Sequence, residues 1–118
     1  MPNLRLPSMA TVFCLSLLPS VASAADNDVQ SLYSACKMSD ASQEFAVCVG
    51  FISGVGETLH YLGLAPDAQP FKICGAPTHG AMVQAFLNWA EKHPEAWSYN
   101  QIRGVILALG ETWPCKSN

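Results

Sequence analysis

The chain has 118 residues, enough for one domain and not two, and a formal net charge of −3. Its six Lys and Arg face nine Asp and Glu, with no basic cluster, so binding would release few counterions and nucleic acid is an unsuitable partner. Charged residues make up only 13 % of the chain, against ~25 % in ordinary soluble domains, so some apolar surface is expected to face a partner, either a second copy or another protein.

Residues 1–24 read as a secretory signal peptide. Arg5 supplies a positive start, an apolar run extends from Met9 to Leu18, Pro19 breaks it, and Ala22-Ser23-Ala24 is the small-x-small pattern expected at a cleavage site. The run is shorter than the ~20 residues needed to span a bilayer, and TVFC around Cys14 is a poor lipidation signal. The expectation is cleavage after Ala24, a mature domain over 25–118 in the periplasm, and no remaining membrane attachment. The mature part keeps Lys37, Lys72, Lys92, Arg103 and Lys116 against nine carboxylates, a weak negative charge that suits a basic protein partner.

Four cysteines remain: Cys36, Cys48, Cys74 and Cys115. An even number in a short exported chain predicts two disulfides, and the absence of CxxC spacing argues against a metal site. Three pairings are possible. Cys36 ends one helical segment and Cys48 lies in the first turns of the next. Cys74 and Cys115 each sit just outside a helix. These placements favour Cys36–Cys48 and Cys74–Cys115.

The fold expected is all-α, a small four-helix domain stapled by the two disulfides. The first helix spans about Asp28 to Cys36, capped by Asp26 or Asn27, with Val29, Leu32 and Tyr33 on one face. The second begins after Ser42 and is the longest. Its apolar residues Phe45, Cys48, Val49, Ile52, Val55, Leu59 and Leu62 recur in steps of three and four, a period no strand can bury. Gly50 and Gly54 lie four apart on it, each costing up to about 1 kcal/mol of helix propensity, which suggests that another backbone passes close by. Gly63 is expected to supply a left-handed stop.

From Gly63 to Pro77 the sequence GLAPDAQPFKICGAP holds three prolines and reads as a loop, with Phe71 and Ile73 tucked against the core. The third helix runs from about His79 to His93 behind a Thr78 cap and ends at Pro94. Ala96 and Trp97 form a short connection. Ser98 and Gln101 make a capping box for the fourth helix, whose stripe is Ile102, Val105, Ile106, Leu109 and Trp113. Trp89 and Trp113 fall on apolar helix faces and are expected in the core.

Little here points to catalysis. His60, His79 and His93 each have a structural explanation at a helix end. Glu57 and His60 share a helix face, but a carboxylate metal site of this kind needs a second such pair. No GxSxG, HExxH or phosphate loop is present. The protein is therefore expected not to be an enzyme and to need no cofactor or metal.

FAVCVGFISGV, FKIC followed by a proline, a third helix ending in HPEAW and a last helix ending in WPC together resemble the Rap/Tai immunity proteins of type VI secretion systems. The likeness covers Cys36 to Cys115. It departs at CGAP, where many relatives place an apolar residue directly after the cysteine, so a different local turn is expected. The resemblance implies a periplasmic, usually dimeric, all-helical protein that binds a peptidoglycan amidase effector and occludes its cleft with a loop. The candidate loops in this sequence are Gly63 to Phe71 and Pro94 to Ser98, which makes Pro66, Asp67, Gln69, Phe71 and Trp97 the candidate contacts. The alternative is a chaperone-like periplasmic stress protein with no dedicated effector. Two disulfides would restrain the loosening that such a protein uses.

Overall fold

The computed structural model describes residues 26–64 and 72–116. The expected leader and its cleavage position lie outside them. Four helices follow in chain order: α1 (Val29–Cys36), α2 (Gln43–Gly63), α3 (His79–Lys92) and α4 (Gln101–Thr112), with a 3₁₀ turn at Pro94–Ala96 between the last two. Among the described residues there is no strand, only an isolated bridge between Asp28 and Asn100. The all-α, four-helix expectation therefore holds.

Each helix starts on a side chain that satisfies an otherwise orphaned N–H. Ser42 Oγ accepts from the Phe45 N–H at 3.1 Å and Thr78 Oγ1 from the Ala81 N–H at 3.2 Å, as the sequence suggests. The other two caps are corrections. Asp28, not Asp26 or Asn27, caps α1, its Oδ1 accepting from the Ser31 N–H at 2.8 Å. Asn100, not Ser98, caps α4 through the Ile102 N–H at 2.9 Å. The reason is the preceding turn. The N–H of Trp97 donates to the Pro94 carbonyl and that of Tyr99 to the Ala96 carbonyl, so tight turns continue past Ser98 and delay the helix.

The apolar stripes of all four helices meet in one core, where Phe86, Ile52, Leu109, Val29 and Val105 are completely buried. Burying such a side chain contributes about 1.5–3 kcal/mol each. α2 is the central element and packs on α1, α3 and α4. By length and composition it could cross a membrane. It is bridged to α1 and packs against the other three helices, and 28 % of its most apolar window is buried within the domain.

Close backbone approach occurs, but not at the glycines expected. A Cβ on Gly50 or Gly54 would meet nothing within 4 Å, and both residues are exposed. The crowded positions are Gly56, where a Cβ would overlap the Met82 side chain, and Gly104, where it would overlap Val29. Gly63 is also corrected. It is the last residue of α2, and the cap Leu64 is right-handed, with φ −82° and ψ −15°. Glycine is needed there because the Ile73 carbonyl lies against it. Among the described residues the left-handed backbone belongs to Gly75, φ 107°, in the CGAP turn.

Both disulfides join the favoured partners, Cys36–Cys48 and Cys74–Cys115. The first ties the end of α1 to the start of α2. The second ties the segment before α3 to the chain beyond α4.

Candidate functional site

Pro66, Asp67, Gln69 and Phe71 lie outside the described residues, which resume at Lys72. α2 stops at Gly63 and Leu64. The chain returns at Lys72, whose Cβ would lie 3.8 Å from a Cβ on Gly63, so the segment between leaves and re-enters the fold at one place. Three contacts pin the return. Ile73, buried as expected, donates its N–H to the Leu59 carbonyl at 3.2 Å. The Cys74 N–H donates to the Trp113 carbonyl at 3.0 Å, and Cys74 is bonded to Cys115.

Trp97 occupies a second corner, where α1 crosses the 3₁₀ turn. It is half-buried. Its Nε1–H donates to the Ala90 carbonyl at 2.8 Å, and its ring stacks on Tyr33 with centroids 5.5 Å apart. The Tyr33 hydroxyl donates to Glu91 at 2.9 Å, which together with partial burial and the Glu91 charge raises its pKa above the ordinary tyrosine value. Lys37 lies 3.7 Å from the same carboxylate. Main-chain bonds lace the corner: the Val29 N–H to the Tyr99 carbonyl at 2.9 Å and the Gln101 N–H to the Asn27 carbonyl at 3.0 Å. Trp97 is thus tied to α3 by its ring nitrogen, packed against the core and stacked on Tyr33, and remains partly exposed. Trp89 is buried and Trp113 is half-buried against the core, in line with their stripe positions.

The titratable side chains do not gather as the sequence suggests. Glu57 turns from His60 to His79 of α3, which it meets at 2.5 Å on an exposed flank. That pairing spans 22 positions and has no local sequence signal. His60 is half-buried with its Nδ1 unpartnered. His93 caps α3, bonded through Nδ1 to the Trp89 carbonyl at 2.8 Å and stacked on the Trp89 ring. Among the described residues no three His, Cys, Asp or Glu are grouped to hold a metal ion.

A shallow groove of about 420 Å³ runs between α2 and α4, lined by Gly54, Val55, Thr58, Leu62, Ile102 and Ile106. The amphipathic period marks these positions as apolar. It does not indicate that the space between the two helices stays open.

A framed loop, an aromatic corner and an apolar groove on a doubly stapled helical scaffold define a small domain equipped for contact. The family follows from comparison: a model of the Rap1a immunity proteins matches residues 28–115, and the chain belongs to that family. The match takes in all four helices and all four bridged cysteines. No curated protein and no solved structure matches the chain. Membership makes the protein an immunity protein directed at a secreted effector. Together with the disulfides, it points to a site of action outside the cytoplasm.

Proposed function

We propose that the protein is exported to the periplasm and there neutralises a type VI secretion effector that hydrolyses peptidoglycan as an amidase. Inhibition is by occlusion. The loop between Gly63 and Lys72 enters the amidase cleft and denies its catalytic thiol access to the peptide stem. Pro66, Asp67, Gln69 and Phe71 make the contact, and the surface edge of Trp97 extends it. The inhibitor acts as a homodimer. The carrying observation is the family match over a domain in which this loop is clamped at its base by Ile73 and the Cys74–Cys115 bridge. A clamped loop gives up less freedom on binding, which favours affinity without a large interface.

The test has two steps: the neighbouring reading frames are searched for an amidase, and its hydrolysis of purified peptidoglycan is titrated with the disulfide-bonded protein. Stoichiometric inhibition is expected, weakened at least tenfold by Asp67→Ala combined with Phe71→Ala. Undiminished hydrolysis at saturating protein would rule the proposal out.

A further inference from the structure

The two disulfides differ in access. Cys36 is 4 % exposed and Cys48 is completely buried, and both belong to the hydrophobic core. Cys74 is exposed and Cys115 half-buried, and both lie outside that core. Thiol–disulfide exchange needs a thiolate to reach one sulfur while the other departs, so access decides which bridge reacts. The first bridge is reached only when α1 and α2 separate. The second offers Cys74 to solvent in the folded protein.

The neighbourhood of Cys74–Cys115 suits exchange. Gly75 and Ala76, directly after Cys74, are small and exposed, so a second molecule meets little bulk on that side. Lys116, directly after Cys115, is exposed, and a cation beside a departing sulfur favours its thiolate. The fold does not depend on this link to keep its helices together. Cys74 precedes the Thr78 cap of α3 and Cys115 lies beyond the end of α4. Ile73 stays buried and bonded to the Leu59 carbonyl whether or not the sulfurs are joined, and the Cys36–Cys48 bridge stands apart from both. Opening frees the chain after α4 from the segment before α3. The hydrogen bond from the Cys74 N–H to the Trp113 carbonyl is then left to hold the two together.

We propose that Cys74 is a thiol-exchange site and that its reaction partner is a dithiol oxidoreductase acting outside the cytoplasm. The inference goes beyond the inhibitor reading and does not depend on it. In the first step a thiolate of the partner attacks Cys74 Sγ. A bond forms between those two sulfurs, the Cys74–Cys115 bond breaks, and the Cys115 thiolate leaves and takes up a proton. In the second step the partner's other thiol, deprotonated, attacks its own sulfur in the mixed disulfide. The partner is oxidised to a disulfide, and the Cys74 thiolate leaves and takes up a proton. The bridge has then gained two electrons and two protons, all supplied by the dithiol and solvent. The protein thus has a fastened and an unfastened form that share one helical core and one closed bridge.

Timed reduction of the purified, disulfide-bonded protein with dithiothreitol tests this, with alkylation of new thiols and peptide mapping by mass spectrometry. Cys74 and Cys115 should be alkylated about 100-fold faster than Cys36 and Cys48, whose release waits for unfolding. Far-ultraviolet circular dichroism should not change while the first pair reacts. A thioredoxin-like protein whose resolving cysteine is replaced by serine should be trapped as a mixed disulfide on Cys74. Equal rates for the two bridges, earlier release of Cys36 and Cys48, or helix lost together with the first alkylation would each overturn the assignment. So would a trapped adduct on Cys115, or no adduct at all.

Discussion

Gly104 and Gly110 lie on the same helix, six residues apart, and replacing each with alanine should move stability in opposite directions. Alanine gains up to about 1 kcal/mol of helix propensity at either site. At Gly110 nothing lies within 4 Å of the added Cβ, so the gain of about 0.5–1 kcal/mol is kept. At Gly104 the Cβ overlaps Val29 Cγ2, with Val29 Cβ at 3.6 Å and Phe86 Cε2 at 3.7 Å behind it. Val29 is completely buried and, being β-branched in a helix, has no second rotamer to adopt at low cost. The backbone of α1 cannot retreat freely either. Val29 is bonded to the Tyr99 carbonyl, and the far end of α1 is bridged to Cys48. Overpacking costs about 1–3 kcal/mol, which outweighs the propensity gain and leaves Gly104→Ala destabilised by about 1–2 kcal/mol. The two variants should therefore differ by about 2 kcal/mol, or roughly 10 °C in melting temperature for a domain of this size. Scanning calorimetry on the oxidised proteins measures it. A Gly104→Ala variant as stable as Gly110→Ala would refute the packing of α1 on α4.

Three further outcomes follow from the same contacts. In the chain-entropy picture, the Cys36–Cys48 bridge, spanning 12 positions, contributes about 3 kcal/mol and Cys74–Cys115, spanning 41, about 4 kcal/mol; paired serine substitutions should lower urea midpoints in that order, and unchanged midpoints would show that neither bridge constrains the unfolded chain. The N–H of Ser31 holds the Asp28 carboxyl below its ordinary pKa of 3.8, so the cap is complete above that value and is lost as pH falls through the lower folded-state value; Asp28→Asn, which still caps, should flatten this acid limb of the stability curve, and an unaltered limb relative to wild type would contradict it. Trp97→Phe keeps the ring against Tyr33 but removes the donor to the Ala90 carbonyl, and should cost about 1 kcal/mol in chemical denaturation; no loss would mean that the bond adds nothing beyond what water supplies.

The local features of this fold were legible in the sequence. The spacing of Phe45, Cys48, Ile52 and Leu59 contains the helix period, Ser42 and Thr78 announce their caps, and the positions of the cysteines relative to helix ends were enough to pair them. What the sequence could not provide was the crossing points. Periodicity marks which face of α2 is apolar, but Gly50 and Gly56 carry the same local signal, and only the placement of Met82 separates an open glycine from a crowded one. Asn100 and Ser98 are both good capping residues. The choice between them was decided by the Pro94 turn and by α1 crossing at Asp28. Glu57 had a near neighbour in His60 and took a distant one, because α3 brings His79 to its flank. The contacts that hold the flanking residues Gly63, Ile73 and Cys74 came only from tertiary structure.

The positions of the two bridges bear on how such a domain could serve recognition. α2 has 21 residues and is about 31 Å long. Cys36–Cys48 fastens its first turns to α1. At the other end, Gly63 lies against Ile73, next to the Cys74–Cys115 bridge. The helix is thus restrained at both ends while the middle of its outer face, around Gly54, remains uncovered within the domain. A surface carried on a member fixed at each end does not have to be ordered on binding, so a small interface loses less of its gross attraction to entropy. With a core as small as this one, cross-links can supply rigidity that packing alone does not, and here they lie near the two ends of α2.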